Sequence, residues 1–131
     1  MITGIDHVGI AVRDLDAALR VYRDKLGFHV EKIYVHETEE VRTAVISSGT
    51  CRFELIQPVS EESPVAKFLA RRGEGVNYVS LQVDNLDHAL QEFKALGLTV
   101  LREVPTVAEG RRYSFLHPKN TMGVLFEVTG P

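Results

Sequence analysis

Tryptophan is absent from the 131 residues, cysteine occurs once and methionine twice. A single cysteine, Cys51, cannot close an internal disulfide, so a disulfide scaffold is excluded and a reducing, cytoplasmic setting is expected. No apolar run approaches the length that crosses a bilayer, and Met1-Ile2-Thr3-Gly4 is too short for a secretion signal, so no membrane partner is expected. Excess positive charge is missing too. The formal net charge is −3 with a pI near 5.9, which removes the electrostatic footprint of a nucleic-acid binder. With 44% hydrophobic and 25% charged residues, what remains is ordinary globular material. Its length suffices for the core of one domain.

What is there is a repeat. Asp6-His7-Val8-Gly9-Ile10-Ala11-Val12-Arg13-Asp14-Leu15-Asp16 matches Asn77-Tyr78-Val79-Ser80-Leu81-Gln82-Val83-Asp84-Asn85-Leu86-Asp87 at a shift of 71 positions. The closing runs repeat as well, Phe53-Glu54-Leu55-Ile56 against Phe126-Glu127-Val128-Thr129. Duplication thus supplies two glutamates in equivalent places, and it pairs His7 with Tyr78.

Periodicity gives each copy the order βαβββ. A strand is expected over residues 5–12, then a helix capped by Asp14 and running to about Leu26, with Leu15, Ala18, Leu19, Tyr22 and Leu26 on its apolar face and Gly27 ending it. Strands near 28–36, 41–48 and 51–57 follow, with a turn at Ser47-Ser48-Gly49-Thr50. Residues 59–74 belong to neither copy and read as a linker, in which Ser63-Pro64 opens a short helix that Gly73 closes. The second copy repeats the order with a strand at 76–83, a helix at about 85–96 and strands near 98–103, 112–117 and 122–129. Its helix presents Leu86, Ala89, Leu90, Phe93 and Leu96, and Gly97 follows. One domain over residues 1–131 is therefore expected, with modules at about 4–58 and 75–131 sharing a cleft.

Strand alternation sorts the side chains into two faces. Val8, Ile10 and Val12, like Val79, Leu81 and Val83, are expected beneath the helices. His7, Gly9 and Ala11, and Tyr78, Ser80 and Gln82, fall on the other face, a polar or small surface suited to a cavity wall. On the closing strands Glu54 and Glu127 oppose the parity of Phe53, Leu55, Phe126 and Val128. A glutamate between apolar neighbours on a central strand is rarely buried without a partner. Imidazole with carboxylates is a donor set for divalent Zn, Mn, Co or Ni. His29, His36 and His88 are expected to carry no chemistry, and His117, before Pro118, is expected to hold a turn. Arg111 and Arg112 are expected in a loop within reach of an anionic substrate.

Several stretches resemble one family. Asp6-His7-Val8-Gly9-Ile10-Ala11-Val12, the Glu54 strand, Ser63-Pro64-Val65-Ala66-Lys67-Phe68-Leu69, Arg72-Gly73-Glu74-Gly75, His117-Pro118-Lys119 and Gly123-Val124-Leu125-Phe126-Glu127 are similar to methylmalonyl-CoA epimerases. These belong to the vicinal-oxygen-chelate superfamily with glyoxalase I and extradiol dioxygenases. The resemblance implies an α+β glyoxalase-like fold, in which two tandem βαβββ modules form a curved-sheet cleft. It implies a divalent metal held by His7, Glu54 and Glu127, with Tyr78 at the fourth ligand position where relatives have histidine. It places Thr43 where some relatives have an acid–base glutamate.

The implied reaction removes the proton alpha to an acyl-CoA thioester and returns it to the opposite face, through a metal-stabilised enolate. Glu127 is the first candidate for acid–base catalysis and Glu54 the second, with Lys119 placed to meet a CoA phosphate. A homodimer is compatible with the resemblance. The alternatives are a metal-poor or metal-free small-molecule-binding protein on the same scaffold and a glyoxalase-type lyase.

Overall fold

A computed structural model describes residues 1–131 in full and divides them into two compact units, His7–Asn77, and Met1–Asp6 with Tyr78–Pro131. Both carry the expected βαβββ order. Strand β1 spans Ile2–Ala11, β2 His29–His36, β3 Val41–Ser48 and β4 Cys51–Pro58. They lie in the order β2-β3-β4-β1, with β1 and β4 parallel and the other pairs antiparallel. The other unit repeats this with β5 (Gly75–Val83), β6 (Thr106–Ala108), β7 (Arg111–Leu116) and β8 (Phe126–Thr129), ordered β5-β8-β7-β6, with β5 and β8 parallel.

Helix α1 (Leu15–Leu19) begins where the sequence places it, with the Asp14 carboxylate accepting from the Ala17 backbone N–H. It then continues as a π-helical turn over Arg20–Lys25, in which the Leu26 N–H donates to the Val21 carbonyl five residues back. The extra residue in that turn rotates the chain. Leu15, Ala18, Leu19 and Tyr22 pack on Ile10, Val12, Ala44, Ile46 and Leu55, whereas Leu26 swings out to 62% exposure instead of joining the apolar face. Helix α3 (Leu86–Ala95), capped by Asn85, buries Leu86, Ala89 and Leu90 against Val83, Leu116 and Val128, with Phe93 beside them; Leu96 ends it exposed. Gly27 and Gly97 both take positive φ where the helices stop.

Residues 59–74 fall within the His7–Asn77 unit rather than apart from both copies. Helix α2 (Pro64–Arg72) buries Val65, Phe68 and Leu69 and ends at Gly73 with φ 80°. Ser63 fixes its start: the buried hydroxyl accepts from the Val65 N–H and donates to the Glu39 carbonyl. Ser63→Ala removes both bonds at a fully buried position. It is expected to cost about 1–2 kcal/mol, read as a fall of several degrees in a thermal melt.

One expected strand is absent. Residues 98–103 make only a single bridge, Val100 to Leu116, and the regular strand comes later, at Thr106–Ala108. The Arg102 carbonyl is taken by the Ser114 hydroxyl at 2.6 Å instead of by a neighbouring strand, so the ladder stops there. Strand β8 also begins at Phe126 rather than at 122, because residues 121–124 form a turn in which Met122 and Gly123 take positive φ.

Candidate active site

In the His7–Asn77 unit, the face of the strands turned away from α1 is polar at two points. Register pairs Gly9 with Glu54, and Glu54 in turn with Val45, which sets Glu54 on the side of His7 and opposite to Leu55 and Phe53. His7 Nε2 stands 3.2 Å from Glu54 Oε2, with the imidazole side chain fully buried and the carboxylate about one-tenth exposed. Thr43 on β3, Ala11 on β1 and Ile56 on β4 are buried too. A buried carboxylate needs such a partner, since isolation would cost several kcal/mol.

The second glutamate has a different environment. Ser80 lies opposite Glu127 in the β5–β8 register, and Phe115 lies opposite it across β7–β8. Glu127 is 4% exposed, and its Oε2 accepts from Ser80 Oγ at 2.5 Å and from Arg111 Nη2 at 3.1 Å. Arg111 reaches it from the start of β7, four residues before Phe115 and on the same face. The two arginines expected in a loop are thus strand residues: Arg111 pairs with Glu127, and Arg112, pointing the other way, pairs with Asp87 of α3 at 2.7 Å. Strand pairing with β6 carries β7 back to Arg111, and hence the loop reading fails.

Aromatic residues share the face of the sheet that carries this carboxylate. Tyr78 is buried and meets Phe115 edge-on at 6.1 Å, and Phe115 meets Tyr113 likewise at 5.8 Å. The Arg102 guanidinium lies 4.9 Å above the Phe115 ring, and that of Arg111 lies 5.9 Å from the Tyr113 ring. Sequence reasoning placed Ser80 on this face without a role and gave none to Arg102 or Phe115. The available signal was parity, because Arg111, Tyr113 and Phe115 alternate with Arg112 and Ser114.

The remaining candidates are peripheral. Lys119 is exposed in a short 3-10 turn, Pro118–Asn120. His117 holds that turn, its Nδ1 accepting from the Lys119 backbone N–H, which is the structural role expected of it. His29 and His36 end the outer strand β2, His29 exposed and His36 half-buried, and His88 on α3 is exposed. Cys51 is a free, exposed thiol. No helix is long and apolar enough to cross a membrane.

Carboxylates held below the usual range lie at the surface: Asp24 by its hydrogen bond to Arg23, Asp84 by the N-terminal ammonium, and Glu103 by Lys94. Their pairs stabilise the fold above the ordinary carboxylate pKa and lose that contribution as pH falls through the lowered values. Full exposure keeps each effect small.

Fit to a divalent ion is uneven. Two ligands about 2.0–2.1 Å from a tetrahedral ion lie roughly 3.3 Å apart, which His7 Nε2 and Glu54 Oε2 match closely. No group of three or more His, Cys, Asp or Glu side chains able to hold a metal occurs in the chain. At Glu127, Oε2 already accepts two hydrogen bonds, one from a cation, and residue 78 offers a phenol, a poor ligand at neutral pH.

A model of the Glyoxalase/Bleomycin resistance protein/Dioxygenase superfamily matches residues 6–115. The chain is 34% identical over 131 residues to the ethylmalonyl-CoA/methylmalonyl-CoA epimerase of Cereibacter sphaeroides, covering 98% of both chains. It is 33% identical over 126 residues to the mitochondrial methylmalonyl-CoA epimerase of Homo sapiens, covering 95% of this chain and 72% of that protein. Among solved structures, methylmalonyl-CoA epimerase from Mycobacterium tuberculosis superposes with a TM-score of 0.93 at 34% identity, covering 99% of this chain and 89% of that one. A substituted Streptomyces coelicolor methylmalonyl-CoA epimerase in complex with 2-nitronate-propionyl-CoA gives 0.92 at 37% identity, covering 99% and 98%.

Proposed function

Because the chain belongs to the methylmalonyl-CoA epimerase family of the glyoxalase/bleomycin resistance/dioxygenase superfamily, we propose that it epimerises an acyl-CoA of the methylmalonyl class. The proton alpha to the thioester is removed, the C–H electron pair passes into an enolate, and a proton returns on the opposite face. The observation that carries this reading is near-full-length similarity to epimerases in a chain that keeps a buried glutamate at each repeated position.

Glu127 is the proposed acid–base group. Its carboxylate accepts from Ser80 and, in the free protein, from Arg111, and the Ser80 bond supplies the orientation that proton transfer from carbon demands. Glu54, beside His7, is the second candidate for proton transfer. His7 and Glu54 are also the residues that would hold a divalent ion, and such an ion, Co, Mn, Zn or Ni, supplies an electrophile for the enolate oxygen when bound. The Lys119 ammonium, exposed in its turn, suits a CoA phosphate. The free Cys51 thiol fits a reducing, cytoplasmic compartment.

Optically pure methylmalonyl-CoA in deuterium oxide tests the reading. Chelator-treated protein is assayed alone and with each of the four ions. Racemisation with deuterium entering the alpha position is expected in at least one condition. No exchange in any of the five overturns the assignment. Binding of methylmalonyl-CoA without exchange favours the metal-free binding protein, a reading supported by the phenol at residue 78 and the arginine on Glu127. The relatives whose names state an activity are epimerases, which favours isomerase over glyoxalase-type lyase chemistry.

A further inference from the structure

Arg111 is poorly explained as a mere counter-ion. A buried carboxylate already bonded to Ser80 is held by a guanidinium whose side chain remains 31% exposed, so the cation joins the interior site to solvent. Arginine is the side chain suited to planar, bidentate recognition of carboxylates, presenting five N–H donors in a fixed fork. Its neighbours strengthen the case. Tyr113 lies below it, Phe115 follows on the same face, and Arg102 stacks on both rings. An apolar wall beside two arginines suits a short acyl chain ending in a carboxylate.

We propose that Arg111 is the receptor for the free carboxylate of the substrate, and that it turns from Glu127 to that carboxylate on binding. This inference rests on the epimerase reading and adds the group that selects dicarboxylic over simple acyl thioesters. The exchange moves the guanidinium from Glu127 to the substrate, so its binding contribution is made only to thioesters that carry the second carboxylate.

Calorimetric binding of methylmalonyl-CoA and of propionyl-CoA, which lacks the free carboxylate, tests this on the wild type, Arg111→Gln and Arg111→Lys. Arg111→Gln is expected to weaken methylmalonyl-CoA by about 10- to 100-fold, the loss of a charge-assisted bidentate contact. The loss for propionyl-CoA should be at least ten times smaller. Arg111→Lys keeps the charge but not the fork and should fall between, which guards against a Gln variant that fails to fold. In turnover the loss should appear in KM more than in kcat. Equal weakening of both thioesters, no weakening of either, or a fall in kcat at constant KM would overturn the proposal and leave Arg111 as a positioning residue for Glu127. A wild type that prefers methylmalonyl-CoA but never exchanges its alpha proton would sink the epimerase reading and spare this one.

Discussion

Glu127→Gln is expected to slow alpha-proton exchange by about two to four orders of magnitude, the range attributed to a positioned acid–base group. The substitution is nearly isosteric, and the new amide oxygen still accepts from Ser80 Oγ, the donor that stands 2.5 Å away in the wild type. Packing beside Phe115, its partner in the β7–β8 register, therefore survives, and a thermal melt should move little. One electrostatic change remains, because Arg111 loses its anionic partner. With the side chain about a third exposed, water compensates much of that loss. The informative result is a separation: deuterium incorporation collapses while methylmalonyl-CoA still binds. If exchange continues within tenfold of the wild type, Glu127 is not the base and the role passes to Glu54.

Much of this site was legible because strands have a period of two. Once the repeat fixed His7 and Tyr78 as equivalents, parity placed Glu54 and Glu127 on the face away from the helices. The registers Gly9 to Glu54 and Ser80 to Glu127 agree. The helix at Ser63-Pro64 was equally plain, since serine, proline and a closing glycine are local signals that need no tertiary context. The Arg111–Glu127 pair was not legible. Its partners are 16 residues apart, and only the antiparallel β7–β8 register brings them together. A strand boundary set one residue late left Arg111 in a loop and hid its parity with Tyr113 and Phe115. Residues 98–103 failed for another reason: their β-branched and apolar character was right for a strand, but a side-chain hydroxyl, that of Ser114, took the carbonyl the ladder required.

The His7–Glu54 pair carries the largest expected effect on stability. His7→Leu takes from the buried Glu54 carboxylate its partner 3.2 Å away, and Glu54→Leu takes the carboxylate from the buried imidazole. Breaking a buried pair from one side costs about 3–5 kcal/mol, so each single variant should melt roughly 10 °C or more below the wild type. The double variant His7→Leu with Glu54→Leu removes both polar groups and should regain most of that loss, because well-packed apolar residues replace such pairs at little cost. The pattern in the melts matters more than either number. Two large single effects with a smaller double effect mark a coupled pair. Losses that simply add would mean that the two residues act separately, each through its own packing. A divalent ion provides the functional half of the test, since a ligand that binds only the native state raises the melting temperature. Titration with Co or Mn should stabilise the wild type and fail to stabilise either single variant. Equal stabilisation of all three would place the ion elsewhere and leave His7 and Glu54 a structural pair only.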